Sequence, residues 1–172
     1  MPDYSKLIPS SADWNHGKGI DPETWLSFSG SFELAIAFGT LFWPEFTIHE
    51  DCVFLAPFTD ASRKSYEGFM KQTKGHKRSV EAVMNHQHIV DLFQSADVPP
   101  TREQVLFIGR MLQDIWQTKL DRDFPDRPIR VSFPDDHSKD LLDYEITFFH
   151  DEQYNQGQQD GGGQPATRPE SK

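Results

Sequence analysis

The chain has 172 residues, of which 36% are hydrophobic, one cysteine, and a formal net charge of -10 at neutral pH. That length suits one domain, or one domain plus a tail, with room for a sizeable core. The acidic balance disfavours bulk attraction to nucleic acid or to an anionic membrane, and a lone Cys52 excludes an intrachain disulfide and a thiol-based zinc site.

Residues 1–20 are polar with scattered Pro and Gly and read as an irregular N-terminal segment. Met1 to Trp14 lacks a basic start followed by an apolar run, so no signal peptide is read. Asp21-Pro22-Glu23 is a helix start, with Asp as N-cap and Pro at the first helical position. The helical pattern runs to Trp43, with a possible break at Ser29-Gly30-Ser31, and Pro44 stops it. Leu34, Phe38, Leu41 and Phe42 fall at three- and four-residue spacing, a buried stripe. Between Trp25 and Phe58 lie seven of the fourteen phenylalanines, and so dense a set of rings is expected to nucleate the core. The longest apolar stretch, Leu34 to Trp43, is about half of the roughly 20 residues a membrane span needs. No membrane segment is therefore read, and a cytoplasmic protein is expected.

Phe46–Ile48 and Cys52–Leu55 flank His49-Glu50-Asp51 and read as a hairpin. Thr59 or Asp60 caps a helix with Tyr66, Phe69 and Met70 on one face, ended by Lys74-Gly75. Ser79 caps a helix running to about Gln94. Thr101-Arg102-Glu103-Gln104 fits a capping box, and Val105, Ile108, Leu112, Ile115 and Trp116 make the buried stripe of the helix that follows. Ile129, Val131 and Phe133 share one face of a strand, and Tyr144, Ile146 and Phe148 one face of another. Beyond Glu152 the composition collapses to Gln, Gly, Asp and Pro, too little apolar surface to order a chain.

Strands gathered in pairs argue for an α+β protein. The expected layout is an antiparallel sheet built from two hairpins and packed against about four helices. It forms a single domain over 21–152, with a disordered tail over 153–172. The segments Leu-Asp-Arg-Asp-Phe-Pro-Asp at 120–126 and Asp-Tyr-Glu-Ile-Thr-Phe-Phe at 143–149 loosely resemble the end of uncharacterised bacterial proteins of unknown function. The resemblance implies a bacterial origin and brings no activity, cofactor or partner with it.

Charge is segregated along the chain. Residues 1–62 carry nine acids and two bases, residues 63–78 six bases and one acid, and residues 121–152 ten acids and four bases. The basic island holds Arg63, Lys64, Lys71, Lys74, Lys77 and Arg78. The last two, with His76, sit at a helix start, where free N–H groups and the helix dipole also favour an anion, and Lys74, His76, Lys77 and Arg78 are the candidate binding residues. Glu81, Asn85 and His88 recur at four and three residues, one helical row able to form an acid–base or metal site. Its plainer reading is a solvated polar face. His86 falls on the apolar arc of the same helix and is expected to point into the core. Asp135, Asp136 and His137, with Asp140 and Asp143, offer hard ligands for a divalent cation, or simply a solvated acidic loop. Cys52 and His49 straddle the hairpin turn; a thiolate–imidazole pair is conceivable, but the acidic neighbours and apolar strand favour a buried core thiol. No phosphate loop, nucleophile elbow or calcium loop has the spacing its chemistry demands.

The reading favoured is a small soluble binding or regulatory module without a cofactor. It would engage a protein partner or a small anionic ligand through Lys74, His76, Lys77 and Arg78. The alternative is a metal-dependent or acid–base hydrolytic enzyme using Glu81, Asn85 and His88.

Overall fold

The computed structural model describes residues 2–93, 98–134 and 140–151. The tail over 153–172 and the candidate metal ligands Asp135, Asp136 and His137 lie outside the described residues. The element order is α1 (Tyr4–Leu7), α2 (Trp14–Gly17), α3 (Pro22–Ser29), α4 (Phe32–Phe42), β1 (Phe46–His49), β2 (Cys52–Leu55), α5 (Asp60–Gln72), α6 (Lys77–Met84), β3 (Gln87–His88), α7 (Arg102–Asp123), β4 (Ile129–Ser132) and β5 (Glu145–His150). The protein is α+β, with helices packed around two small antiparallel sheets.

The core lies where two periodicities meet. Val105, Leu112, Trp116 and Leu120 make the buried stripe of α7, and the alternating Ile129, Val131, Ile146 and Phe148 of β4 and β5 pack against it. Such interlocking of a 3.6-residue stripe with a two-residue alternation buries apolar surface on both partners at once. Gly109 permits the closest approach. The Phe133 ring occupies the space that a Cβ at Gly109 would take, so only glycine fits there. Thr101 and Gln104 form the reciprocal capping box that starts α7.

A single sheet of two hairpins is not what forms. β1 and β2 make one two-stranded sheet, and β3, β5 and β4 make a second in that order, with β5 central. β3 comes from a stretch expected to be helical. The helix expected from Ser79 to Gln94 begins instead at Lys77 and ends at Met84. His76 is its N-cap residue, and the His76 ring bonds the Ser79 hydroxyl at 2.7 Å. The helix stops because Asn85 commits its side chain to two neighbouring strands, while Gln87 and His88 extend to pair with Ile146 and Glu145 of β5. His86 accordingly lies exposed outside any helix, with its ring against the Val83 carbonyl, and not in the core.

The aromatic-rich segment behaves differently from expectation. Asp21 and Ser31 cap α3 and α4 by accepting from Thr24 N and Leu34 N, and the chain axis turns by 119° between them. Neither helix contains a single buried residue. Phe32 is 91% exposed and Phe38 38% exposed, and Leu26, Phe28, Leu34, Ile36 and Trp43 also face outward. Only the C-terminal end of α4 is anchored: Leu41 and Phe42 touch the core, and the Trp116 indole donates to the Leu41 carbonyl at 3.0 Å. The rings of α3 and most of α4 stay outside the core because α4 is apolar all round and the domain presents it with a neighbour at one end only. Later rings of the same segment do join the core, Phe54 being buried and Phe46 and Phe58 packed against buried residues. Among the described residues, no single helix is long and apolar enough to cross a membrane.

Candidate functional site

Glu81 and Asn85, four residues apart, do share one face of α6, as their spacing requires. That face is neither solvated nor open. Glu81 is 0% and Asn85 1% exposed, because α6 wedges them between β2 and β5. The Val53 N–H donates to Glu81 Oε1 and the His150 N–H to Oε2, each at 2.8 Å. The Asn85 amide donates to the carbonyls of Val53 at 2.9 Å and Phe148 at 3.2 Å, and its oxygen accepts from Leu55 N–H. Two side chains thus satisfy backbone groups that a missing strand between the sheets would otherwise serve.

His88 is not part of this arrangement, which corrects the expected Glu81–Asn85–His88 row. It sits on β3, its Nδ1 2.7 Å from the Leu142 carbonyl and 3.7 Å from the Glu145 carboxylate. The imidazole that meets Glu81 is that of His150, with Nδ1 2.7 Å from Oε1. An ionised carboxylate can only accept, so this contact holds the ring proton on Nδ1. Among the described residues no hydrogen bond engages Nε2, and His150 lines an open cleft. A buried carboxylate orienting an imidazole whose far nitrogen is free is the geometry of a general base.

The cleft has a volume of about 700 Å³ and lies at the N-terminus of α6. His76, Lys77 and Arg78 of the basic island line it, together with Arg127, Asp51 and Asp151. Lys74 does not; it is exposed in the turn before α6, with φ +53°. Acids hold the cations in place. Asp51 pairs with Lys77 at 3.4 Å and with Arg127 at 4.0 Å, and the buried Asp151 carboxylate bridges Arg78 at 3.8 Å and Arg130 at 3.7 Å. The lining therefore carries three permanent cations against two carboxylates, together with the imidazoles of His76 and His150.

One wall is the β1–β2 turn. Glu50 and Asp51 both adopt positive φ, +46° and +68°. Such a turn matches the twist of a hairpin but favours Asn and Gly. Here Arg127 bonds the Asp51 carbonyl at 2.7 Å and clamps the turn from outside.

Cys52 lies directly across the hairpin from His49, as the sequence suggested. It is fully buried, and burial, reinforced by the nearby Glu81 carboxylate, pushes its thiol up to about 11. Burial likewise pushes the neighbouring Tyr66 hydroxyl up to about 12. Cys52 is a buried core thiol, in the apolar setting that raises a thiol and does not activate it. Among the described residues, no three His, Cys, Asp or Glu side chains converge in a way that could hold a metal ion.

The reading from sequence missed His150, Arg127 and Asp151. A signal for the first was present. Tyr144, Ile146 and Phe148 alternate onto the buried face of β5, and the next residue on that face is His150. A titratable group at a core-facing position demands a partner. No protein-family model, curated protein or solved structure matches this chain.

Proposed function

We propose that the protein is a binding module whose cleft takes a small anionic ligand carrying a phosphate or carboxylate group. One observation supports this reading above the others. In a chain of net charge -10, Lys77, Arg78 and Arg127 converge with His76 and His150 on a single cleft of about 700 Å³. Guanidinium groups suit planar or tetrahedral oxyanions, and the N-terminus of α6 adds its dipole to the same spot. Lys74 contributes long-range charge and no contact. The test is a titration with inorganic phosphate followed by amide NMR. Shifts confined to 75–81, 127 and 150–151 are expected, and Lys77→Glu with Arg78→Glu should abolish them without unfolding the protein. Absence of shifts at millimolar phosphate would defeat the reading.

A second reading, acid–base hydrolysis, is favoured by one specific contact, Glu81 Oε1 to His150 Nδ1 at 2.7 Å. In this reading His150, not His88, is the base, Glu81 orients it, and Lys77, Arg78 and Arg127 hold the anionic substrate. His150→Gln should then keep fold and phosphate binding while losing turnover of small phosphate or carboxylate esters. A wild-type protein that binds phosphate and turns over none of them leaves only the binding module.

A further inference from the structure

A helix that is apolar on every side belongs inside something. α4 is such a helix: Glu33 and Thr40 are its only polar side chains, and residues 32–40 are all exposed. We propose that α3 and α4 form a self-association surface, on which a second copy of this chain docks about a two-fold axis with the two α4 helices antiparallel. The surface shares no residue with the cleft and does not depend on its reading.

Four observations select a second copy as the occupant. The first is area. Aromatic rings offer about 150–250 Å² each. The exposed apolar side chains of α3 and α4 together present on the order of 800 Å², the share one partner gives to a standard interface. The second is polarity along the patch. Its acidic end is Glu33, in the first turn of α4; at its other end the Arg122 guanidinium stacks 4.7 Å over Trp43 and is already bonded to Asp123 at 2.8 and 2.9 Å. An antiparallel copy keeps the two Glu33 carboxylates at opposite ends of the pair and opposes the two helix dipoles. The third is shape. The 119° turn between α3 and α4 makes an open V, and a partner's α4 lying in it is covered on more than one face. In a two-fold pair both V-shaped faces are filled at once. The fourth is continuity with a receptor. Phe38 packs 6.0 Å from Phe93, which borders an apolar groove of about 380 Å³ between α1 and α7. Projecting rings and a hole for them thus share one face, the condition for a closed and self-complementary contact.

A lipid bilayer fits less well. From Gly19 to Ser62 the chain carries acids and no base, so anionic headgroups repel this face. α3 and α4 are long and apolar enough to reach across a bilayer only together, and they are bent by 119°; α4 alone has 11 residues, about 16 Å of helix against a hydrocarbon core of roughly 30 Å.

The experiment is sedimentation equilibrium on the full chain. A mass of twice 19.8 kDa is expected at and above ~10 µM, within the range for an interface of this size. Phe32→Glu should weaken the dimer by about 30-fold or more, as loss of a central ring does. Its side chain is 91% exposed, so the fold should survive, checked by circular dichroism. Ile36→Cys, near the middle of α4, should cross-link to its own copy on oxidation, because an antiparallel two-fold pair sets the two mid-helix positions against each other. A wild-type monomer at ~100 µM would overturn the proposal. So would a dimer indifferent to Phe32→Glu, or a monomer that floats with phosphatidylcholine vesicles.

Discussion

α4 and α7 are both rich in large apolar residues, and their fates are opposite. α7 buries Val105, Leu106, Leu112, Trp116 and Leu120, while α4 buries none of its eleven residues. The difference is not hydrophobicity, since α4 is the more apolar of the two. α7 confines its apolar residues to a stripe, and β4 and β5 supply a matching face. α4 has no stripe and no opposing sheet. Burial is a property of two surfaces together, and density of rings in one segment guarantees only that a second surface is needed.

The widest contrast is at the centre of each helix. Trp116→Ala should destabilise by about 3–5 kcal/mol, as deletion of a packed ring does. Phe32→Ala should move the stability of the isolated chain by no more than about 0.5 kcal/mol. Urea midpoints measured at low protein concentration would break the comparison if the two values converged. Phe38, partly exposed, should fall between them. A polar version of the same contrast sits at α6. Glu81→Gln places an amide N–H against a backbone donor and should cost about 2–3 kcal/mol. A null effect there would mean that water reaches the gap between the sheets.

A pair of glycines sharpens the comparison by a single methyl group. At Gly109 an added Cβ collides with the Phe133 ring, so Gly109→Ala should cost about 1–3 kcal/mol. At Gly39 an added Cβ meets nothing, and Gly39→Ala should stabilise α4 by about 1 kcal/mol through helix propensity. Opposite signs are the expected result in thermal unfolding.

A pH-dependent effect lies where the two helices meet. Lys119, buried beneath Trp43 and Phe46, donates to Asp123, and this bond, helped by Arg122, holds the Asp123 carboxyl below its usual 3.8. A depressed folded value means that the contribution is complete above pH 3.8 and fades as pH falls through the folded value. Asp123→Asn should therefore cost about 1 kcal/mol at neutral pH and nothing in strong acid. A gap between the two unfolding curves that persists in acid would show the loss to be packing and not charge.

Local signals in the sequence were legible. Asp21, Thr59 and the Thr101–Gln104 box cap the helices they were expected to cap, and the alternation in β4 and β5 gives the right buried faces. The four-residue spacing of Glu81 and Asn85 correctly placed both on one helical face. What that face touches was not legible, because the partner of Glu81 lies 69 residues away on another sheet. The end of α6 was hidden for a related reason. Asn85 and His86 are indifferent helix formers, and a bond to a distant strand decided the outcome. Of the basic island, three residues reach the cleft and Lys74 does not, because the positive φ of the Lys74-Gly75 turn sends the chain past it.

The gap that Glu81 and Asn85 fill has a consequence for motion. One carboxylate holds the amide protons of Val53 on β2 and His150 on β5. Those protons cannot exchange with solvent independently, although no strand pairing joins the sheets that carry them. Any fluctuation that lifts α6 releases both at once, together with Leu55, and lays bare two sheet edges in the same instant. Deuterium should therefore enter at Val53, Leu55 and His150 at a common rate, set by the opening of one short helix and not by either sheet.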